Sequence, residues 1–347
     1  MRANTPPEPK DIQEILSRPN GADELDAMID NLEPEAQRAV VKVAFKERFG
    51  CDIKNFSNKN LAPGTLIADA NLKGPNIVAF YKAMQDLPLD HTLDNDSMKD
   101  FTVLDVRGGG SYYQGGDKKR IVMDQGDAST SPDRPMGGDD AVGSLDDAAT
   151  PEERAELEKC KPANEEPVSF FNWNTLHEVG HAVDDKQNFM GSKGKAKEFG
   201  GWTEYGNNVS VPAEKIAKHF EYDKGYVMEY MAHNKSPYVP AIPTGEACTE
   251  EEWESRRLKV RAHIDAASEP ANPWSSMAQA KKLEIGGVIY QESYENDWKS
   301  YLLAARSKGI TGYQFRAPGE WFCELYAAYH SGKLKPGHPS EGWLENL

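Results

Sequence analysis

The chain has 347 residues and a formal net charge of −16, from 40 basic and 56 acidic side chains. This length suits two domains, or one domain with large insertions. The negative charge argues against nucleic acid or an anionic membrane as a partner, because like charges repel. We also expect no membrane span, since no run of about 18 apolar residues is present. No apolar signal segment is visible at the start.

Much of the negative charge lies in one segment. Residues 124–166 hold 13 acidic and four basic side chains, together with few apolar ones. We interpret this segment as a solvated acidic loop. Beside a binding site, such a loop would attract a basic substrate and repel an acidic one.

The four cysteines are widely spaced and contain no C-x-x-C pair. A disulfide-rich scaffold is therefore not expected, and neither is a cysteine-based zinc site. The spacing is typical of free thiols in a protein made in a reducing cytosol. The four residues are Cys51, Cys160, Cys248 and Cys323.

The N-terminal third predicts helices and then strands. Proline near a helix start and glycine after its end mark helices within 11–16, 24–32 and 34–49. A further helix is predicted from Pro75, because the next apolar residues recur at helical spacing. Residues 101–107 and 118–124 have strand patterns and flank a glycine-rich turn. The apolar residues of the helix predicted from Pro75 are Ile77, Phe80, Tyr81, Met84 and Leu87.

Downstream, helices are predicted again. Thr249 and Glu252 form a capping box at the start of one helix. A helical stripe follows, and Pro318 is placed to begin the last helix. The predicted fold class is therefore α+β, with helices dominant and a small sheet. The residues of the stripe are Trp298, Tyr301, Leu302 and Ala305.

Residues 177–181 read His-Glu-Val-Gly-His, an H-E-x-x-H sequence. On a helix, residues four apart are separated by about 40°, so both imidazoles can reach one ion. We predict His177 and His181 as ligands of Zn²⁺, and Glu178 as the base that accepts a proton from water. An apolar stripe on the nearly opposite face predicts a helix that packs in the core. The stripe comprises Leu176, Val179 and Val183.

Zinc requires a third protein ligand if one position is to stay open for water. The pattern H-E-x-x-H-x-x-G-x-x-H is excluded, because Asp184 and Gln187 occupy the glycine and histidine positions. Asp184 lies one turn beyond His181 and would orient a ligand or cap the helix. As a direct ligand it is geometrically awkward.

Glu320 is the better candidate for the third ligand. Glu320 and Glu324 are four residues apart in an aromatic-rich helix, where two carboxylates repel each other unless a cation or donors compensate. A zinc ion and its histidines supply both. We predict that Glu320 binds the metal and that Glu324 accepts the other ring N–H of a zinc ligand. Glu324 as the ligand, or an ordinary solvated pair, remain the alternatives.

These segments resemble a known family. HEVGHAVDD at 177–185, with a tyrosine seven residues before the first Glu of EWFCELY at 320–326, resembles the catalytic domain of anthrax toxin lethal factor and its relatives. Residues 108–124 are similar to the family's turn and edge strand before the zinc helix. The resemblance implies a zincin-fold zinc peptidase whose third ligand is a glutamate.

The resemblance also implies a mechanism. Zinc would polarise the scissile carbonyl, and Glu178 would move a proton from water to the leaving nitrogen. Tyr313 falls where the family places a tyrosine that donates to the oxyanion or leaving group, with Arg316 as a weaker candidate. On geometry alone, the alternative for Tyr313 is a packed aromatic residue on the loop before the last helix.

The chain also departs from the family. The 138 residues between His181 and Glu320 are far more than the family usually has, and the acidic loop 124–166 is extra. We therefore predict an N-terminal helical region, 1–70, and a zincin-like metallopeptidase domain, 71–347, with an insertion at 187–297.

The resemblance implies a bacterial toxin or effector that cleaves a protein of a host or competitor cell. The protein would be made in the bacterial cytoplasm and then secreted or injected by a non-Sec route. Residues 1–70 would contact the secretion apparatus or a chaperone. Two alternatives stay open: a non-catalytic binding protein with a zincin fold, and an amidase or peptidase that acts on cell-wall peptides.

Overall fold

The structure is a computed structural model that divides into two compact units. It describes residues 7–54, 75–104, 106, 110–128, 169–206, 208–220, 224–232, 249, 251–252, 255, 282–292 and 297–347. Unit one comprises Met1–Gly138, Pro162–Phe189 and Phe322–Leu347, and unit two comprises Asp139–Lys161 and Met190–Trp321.

Unit one contains all described elements up to residue 187, together with the last helix of the chain. Its helices are α1 (Pro9–Leu16), α2 (Gly21–Asp30), α3 (Pro34–Phe49), α4 (Pro75–Met84), α5 (Gln125–Ala128), α6 (Phe170–Gln187) and α11 (Glu341–Leu344), with a 3₁₀ turn at Leu89–His91. Its strands are β1 (Asp52–Lys54), β2 (Asp100–Leu104), β3 (Tyr112–Gln114) and β4 (Arg120–Asp124). Helix α10 (Pro318–His330) contributes its residues from 322 onward to this unit.

Unit two has its own helices and strands. Its helices are α7 (Phe189–Lys193, from Met190), α8 (Ser210–Phe220) and α9 (Lys224–Ala232), with 3₁₀ turns at Lys197–Phe199, Leu303–Lys308 and Tyr313–Phe315. Its strands are β5 (Thr203–Gly206), β6 (Lys282–Ile285), β7 (Val288–Glu292) and β8 (Trp298–Leu302).

The sheet of unit one has the strand order β1-β2-β4-β3. β1, β2 and β4 are parallel, and β3 pairs antiparallel with β4 as an edge strand. Parallel neighbours need a crossover, and α4 lies in the connection from β1 to β2. The strands predicted within 101–107 and 118–124 are confirmed as β2 and β4. The glycine-rich segment between them is more than a turn, because it also forms β3.

An aromatic core joins this sheet to the helices around it. The ring of Phe80 on α4 lies 5.6 Å from that of Phe101 on β2 and 4.5 Å from that of Phe171 on α6. The ring of Phe45 on α3 also lies 5.7 Å from that of Phe101. Such edge-on aromatic pairs add to the stability that burial alone provides. The residues of the two predicted apolar stripes are all buried, which confirms the stripe of α6 and that of α4 up to Met84, whereas Leu87 lies three residues beyond the end of α4.

Unit two corrects one sequence prediction. Residues 298–302 form strand β8, not a helix, and a 3₁₀ turn follows at Leu303–Lys308. β8 lies between β5 and β7 in an antiparallel sheet of order β5-β8-β7-β6. Trp298 on this strand packs with residues of α8 and α9 in a buried apolar cluster.

Other predictions fall partly outside the described residues. Of the predicted acidic loop 124–166, residues 124–128 are described, and they form the end of β4 and helix α5 instead of a loop. The capping box at Thr249 is present, with both of its backbone-to-side-chain hydrogen bonds. The α+β class is confirmed, whereas the boundary near residue 70 stays a prediction. Among the helices of the described ranges, none combines the length and the apolar character needed to cross a membrane.

Candidate metal site

Helix α6 carries the H-E-x-x-H sequence and begins at a capped end. The side chain of Ser169 accepts a hydrogen bond from the backbone N–H of Asn172, at 3.3 Å, which satisfies one of the open donors of the first turn. Asn188 ends the helix in the left-handed conformation. Residues 175–180 of the helix are buried, including Glu178, whereas His181 is only partly buried. The motif is therefore held on a rigid helix inside unit one.

His177 and His181 come together as the spacing predicts. Their ring centroids are 5.0 Å apart and the rings are nearly perpendicular, at 81°. Candidate ligand atoms of these two residues and Cys323 all lie within 4.8 Å of one another. We call these three residues the donor cluster. Imidazole and thiolate are both ligands that zinc prefers, so the chemistry of the cluster fits this ion.

The donor cluster forms where α6 and α10 come into close contact. A Cβ atom at Gly180 would lie 3.2 Å from the Cα atom of Cys323, 3.3 Å from its Sγ atom and 3.2 Å from Tyr326 Cδ1. These distances are tighter than ordinary contacts, so glycine is the residue that lets the helices approach this closely. The glycine inside the motif thus brings the Cys323 thiol next to the two histidines.

Glu324 fixes the orientation of His177. Its Oε1 atom lies 2.7 Å from His177 Nδ1, and the side chain is buried. The same oxygen accepts a hydrogen bond from Trp173 Nε1 at 3.1 Å. A carboxylate that accepts a hydrogen bond from Nδ1–H keeps the lone pair of Nε2 available for a metal. It also increases the basicity of the ring. The structure therefore forms the contact that the sequence predicts for Glu324.

Tyr113 on the edge strand β3 is a further neighbour of the site. Its ring is nearly parallel to that of His181, with centroids 6.5 Å apart. Its hydroxyl lies 2.8 Å from Asp185 Oδ2 and 3.0 Å from the carbonyl oxygen of Ser97. Burial raises the pKa of Tyr113, and the nearby Asp185 carboxylate raises it further. The phenol therefore stays protonated and links β3 to the last turns of α6.

The start of β3 is anchored as well. Asp127 accepts hydrogen bonds from the backbone N–H and the hydroxyl of Ser111, at 3.1 and 2.7 Å. Asn174 on α6 donates to the same hydroxyl at 3.2 Å. Together with Tyr113, these contacts hold the edge strand alongside the motif helix.

The other predicted residues are placed as follows. Glu320 is buried in the first turn of α10, three residues before Cys323. Tyr313 is partly buried and begins a 3₁₀ turn, with the guanidinium of Arg316 4.1 Å from its ring centroid. Asp184 is partly buried, one turn beyond His181. The ligand role of Glu320 and the roles of Tyr313, Arg316 and Asp184 stay predictions.

A second histidine pair lies elsewhere in unit one. The rings of His91 and His330 are 5.6 Å apart, and the hydroxyl of Tyr326 lies 3.1 Å from His91 Nδ1. Burial lowers the pKa of both histidines, that of His330 to about 4. Both rings are therefore neutral at pH 7.

Three neighbours of the site were not predicted from the sequence: Cys323, Trp173 and Tyr113. Cys323 directly precedes Glu324, so the helix that was expected to contribute a carboxylate also contributes a thiol. Trp173 precedes His177 by four residues, which is one helical turn, and this spacing could have identified it. The contact of Tyr113 depends on sheet pairing, for which local spacing gives no signal.

No protein-family model matches this chain, and no curated protein or solved structure is significantly similar to it.

Proposed function

We propose that this protein is a zinc-dependent peptidase of zincin type, with His177 and His181 as metal ligands and Glu178 as general base. The proposal depends on one observation above all: the H-E-x-x-H histidines are paired on a buried helix, and a carboxylate contacts Nδ1 of the first. A purely structural zinc site has no need of a carboxylate at position 178.

Each residue has a separate role in the proposed reaction. A bound zinc ion would polarise the substrate carbonyl and acidify water at the site. Glu178 accepts the proton of the attacking water and passes it to the leaving nitrogen. Glu324 holds the imidazole of His177 in one tautomer. The family resemblance assigns the role of oxyanion donor to Tyr313, with Arg316 as the weaker candidate.

The edge strand β3 favours the proposal that the substrate is a peptide. β3 pairs with β4 on one side only within the described sheet, so its other side has backbone groups available for an extended chain. Tyr113 and Ser111 anchor it beside α6. An extended peptide that pairs with β3 would lie next to the motif helix.

The decisive experiment compares wild-type protein with Glu178→Gln. Metal content is measured after zinc loading, and hydrolysis is measured on denatured casein and on purified cell-wall peptides, with and without chelator. We expect cleavage of casein that the chelator abolishes. The variant should keep the metal and lose at least about a hundredfold in rate, because the base is gone.

The alternatives predict different results. Chelator-sensitive digestion of cell-wall peptides alone would support an amidase, and bound zinc without activity on either substrate would support a binding protein. Full activity of Glu178→Gln would refute the base assignment. Comparison of new N-termini in target-cell extracts treated with wild type and with Glu178→Gln would then identify substrates.

The setting that we propose is a toxin or effector that reaches another cell by a non-Sec route and cleaves a protein there. The motif and its resemblance support this setting. Detection of a translocated pool in recipient cells tests the proposal. A protein found only in the producer's cytosol would contradict it.

A further inference from the structure

The third position of the donor cluster is a thiol. Cys323 is fully buried, and its Sγ atom belongs to the group whose ligand atoms lie within 4.8 Å of one another. The other two members are the histidines of the H-E-x-x-H sequence. The sequence, by contrast, predicts no cysteine-based zinc site and assigns the third ligand to Glu320.

We propose that Cys323 binds the metal as a thiolate and completes a His₂Cys ligand set. The inference rests on the metal site of the proposed function but not on its hydrolytic activity. When Zn²⁺ binds, the S–H bond of Cys323 breaks, a Zn–S bond forms, and the proton is released to solvent. Three protein ligands leave the fourth zinc position open for water.

The backbone fixes the thiol in place. A cysteine side chain has one rotatable bond before sulfur, so the helix largely determines the position of Sγ. Gly180 allows α10 to approach until the Cys323 backbone meets α6. A glutamate has three such bonds and loses more conformational entropy when it is held at a metal. The thiol is therefore the more preorganised of the two donors on α10.

The neighbour of Cys323 strengthens the assignment. Glu324 is the next residue of α10 and contacts Nδ1 of His177. One turn of α10 thus supplies both a ligand atom and the carboxylate that orients a second ligand. This combination of a ligand with an outer hydrogen-bond acceptor is the usual construction of a protein zinc site.

The thiolate also sets the metal preference. Soft sulfur ligands favour Zn²⁺ and related late transition metals, whereas Mg²⁺, Ca²⁺ and Mn²⁺ prefer oxygen. A His₂Cys site should therefore take up Zn²⁺ or Co²⁺ and leave Mg²⁺ and Ca²⁺ in solution.

Cys51 provides a matched control. It is the other cysteine among the described residues, and it is also buried. Burial raises its pKa, and the carboxylates of Asp52 and Asp100 raise it further. It does not belong to the donor cluster, so the same substitution at this position tests the loss of a buried thiol alone.

The experiment loads the full-length protein with Co²⁺ and records the near-ultraviolet thiolate-to-cobalt charge-transfer band. Wild type, Cys51→Ser and Glu320→Gln should show the band, and Cys323→Ser should lose it. A band of unchanged intensity in Cys323→Ser would overturn the proposal. So would a wild-type protein that binds Co²⁺ without the band.

A second measurement needs no variant and therefore does not depend on whether Cys323→Ser folds. X-ray absorption of the zinc-loaded wild type should show one sulfur neighbour at about 2.3 Å, together with nitrogen neighbours. A shell of nitrogen and oxygen alone would refute the thiolate and favour Glu320. A sulfur neighbour in a protein that hydrolyses nothing would support this inference while the proposed function fails.

Discussion

Glu324 Oε1 lies 2.7 Å from His177 Nδ1, in the buried space between α6 and α10. The contact connects two residues that are 147 positions apart in the sequence. The Glu324 carboxylate is thus a hydrogen-bond acceptor for the candidate metal site and does not itself need to contact the metal.

Loss of this acceptor should weaken metal binding. In Glu324→Ala the imidazole of His177 loses the partner that fixes its tautomer, so zinc affinity should fall about 10- to 100-fold. Competition with a chromophoric chelator measures the affinity. Trp173→Phe removes only the second hydrogen bond to the same carboxylate and should change it much less. Equal affinities in Glu324→Ala and wild type would show that the contact does not orient a ligand.

Gly180→Ala should destabilise unit one, although alanine is the better helix former. The propensity gain is about 1 kcal/mol, whereas crowding against the rigid Cys323 backbone costs about 1–3 kcal/mol. The expected net loss is about 1 kcal/mol, seen in urea unfolding, together with weaker zinc binding. Gly342→Ala in α11 is the control, because its added methyl group would meet no atom within 4 Å beyond its chain neighbours and its own helix backbone. A stabilised Gly180→Ala would mean that α10 can move away at no cost.

Acid should destabilise the fold through the second histidine pair. The pKa of His330 is 6.5 unfolded and about 4 folded, so its neutral form stabilises the protein above pH 6.5. That contribution is lost as pH falls from 6.5 towards 4. The ring faces those of His91, Tyr326 and Tyr329, which supply no carboxylate to hold a charged form.

Denaturant unfolding between pH 7.5 and 5 measures the effect. His330→Gln should depend less on pH over this interval, because the variant has no imidazole to protonate there. The exposed His219 on α8 provides the control, and His219→Gln should keep the wild-type slope. If His330→Gln also keeps that slope, the titrating group is another one.

Tyr113→Phe should loosen the edge strand and leave the ring beside His181. Loss of the hydroxyl removes the one O–H donor that Asp185 and the Ser97 carbonyl share, which should contribute about 1 kcal/mol. Hydrogen exchange of the β3 amides and urea unfolding measure the change. Tyr112→Phe is the matched control, because this neighbouring tyrosine side chain is exposed. Equal effects of the two variants would refute an anchoring role for Tyr113.

Removal of the acidic segment should weaken binding of basic peptides. Deletion of residues 130–160 takes away nine acidic and three basic side chains but keeps Asp127, which anchors Ser111. We expect a higher KM for basic peptides at low salt, a smaller salt dependence and unchanged metal content. A variant with the same acidic residues changed to amides separates charge from length. Unchanged kinetics at low salt would rule out electrostatic attraction.

The sequence predicted those elements whose stabilising residues lie close together along the chain. The motif helix has its cap, its apolar stripe and both histidines within 20 residues, and the structure forms it as expected. The pairing of Glu324 with a histidine was also predictable. Glu320 and Glu324 are four residues apart, and two such carboxylates repel each other unless a cation or a donor compensates. The α+β class follows from such elements taken together.

Elements that depend on distant partners were not predictable. Trp298, Tyr301 and Leu302 fit a helical spacing, yet β8 hydrogen-bonds with β5 on one side and β7 on the other. β5 lies more than 90 residues earlier in the chain, so no local pattern could reveal the pairing. The position of Cys323 depends in the same way on the close contact of α10 with Gly180.

The carboxylate oxygen shared by His177 and Trp173 has an optical consequence. A cation on the imidazole draws negative charge from that oxygen, and the indole hydrogen-bonded to it experiences a different electric field. We therefore expect the fluorescence of Trp173 to change when a metal binds. The difference between the spectra of wild type and Trp173→Phe would then follow occupancy of the site in real time without a label.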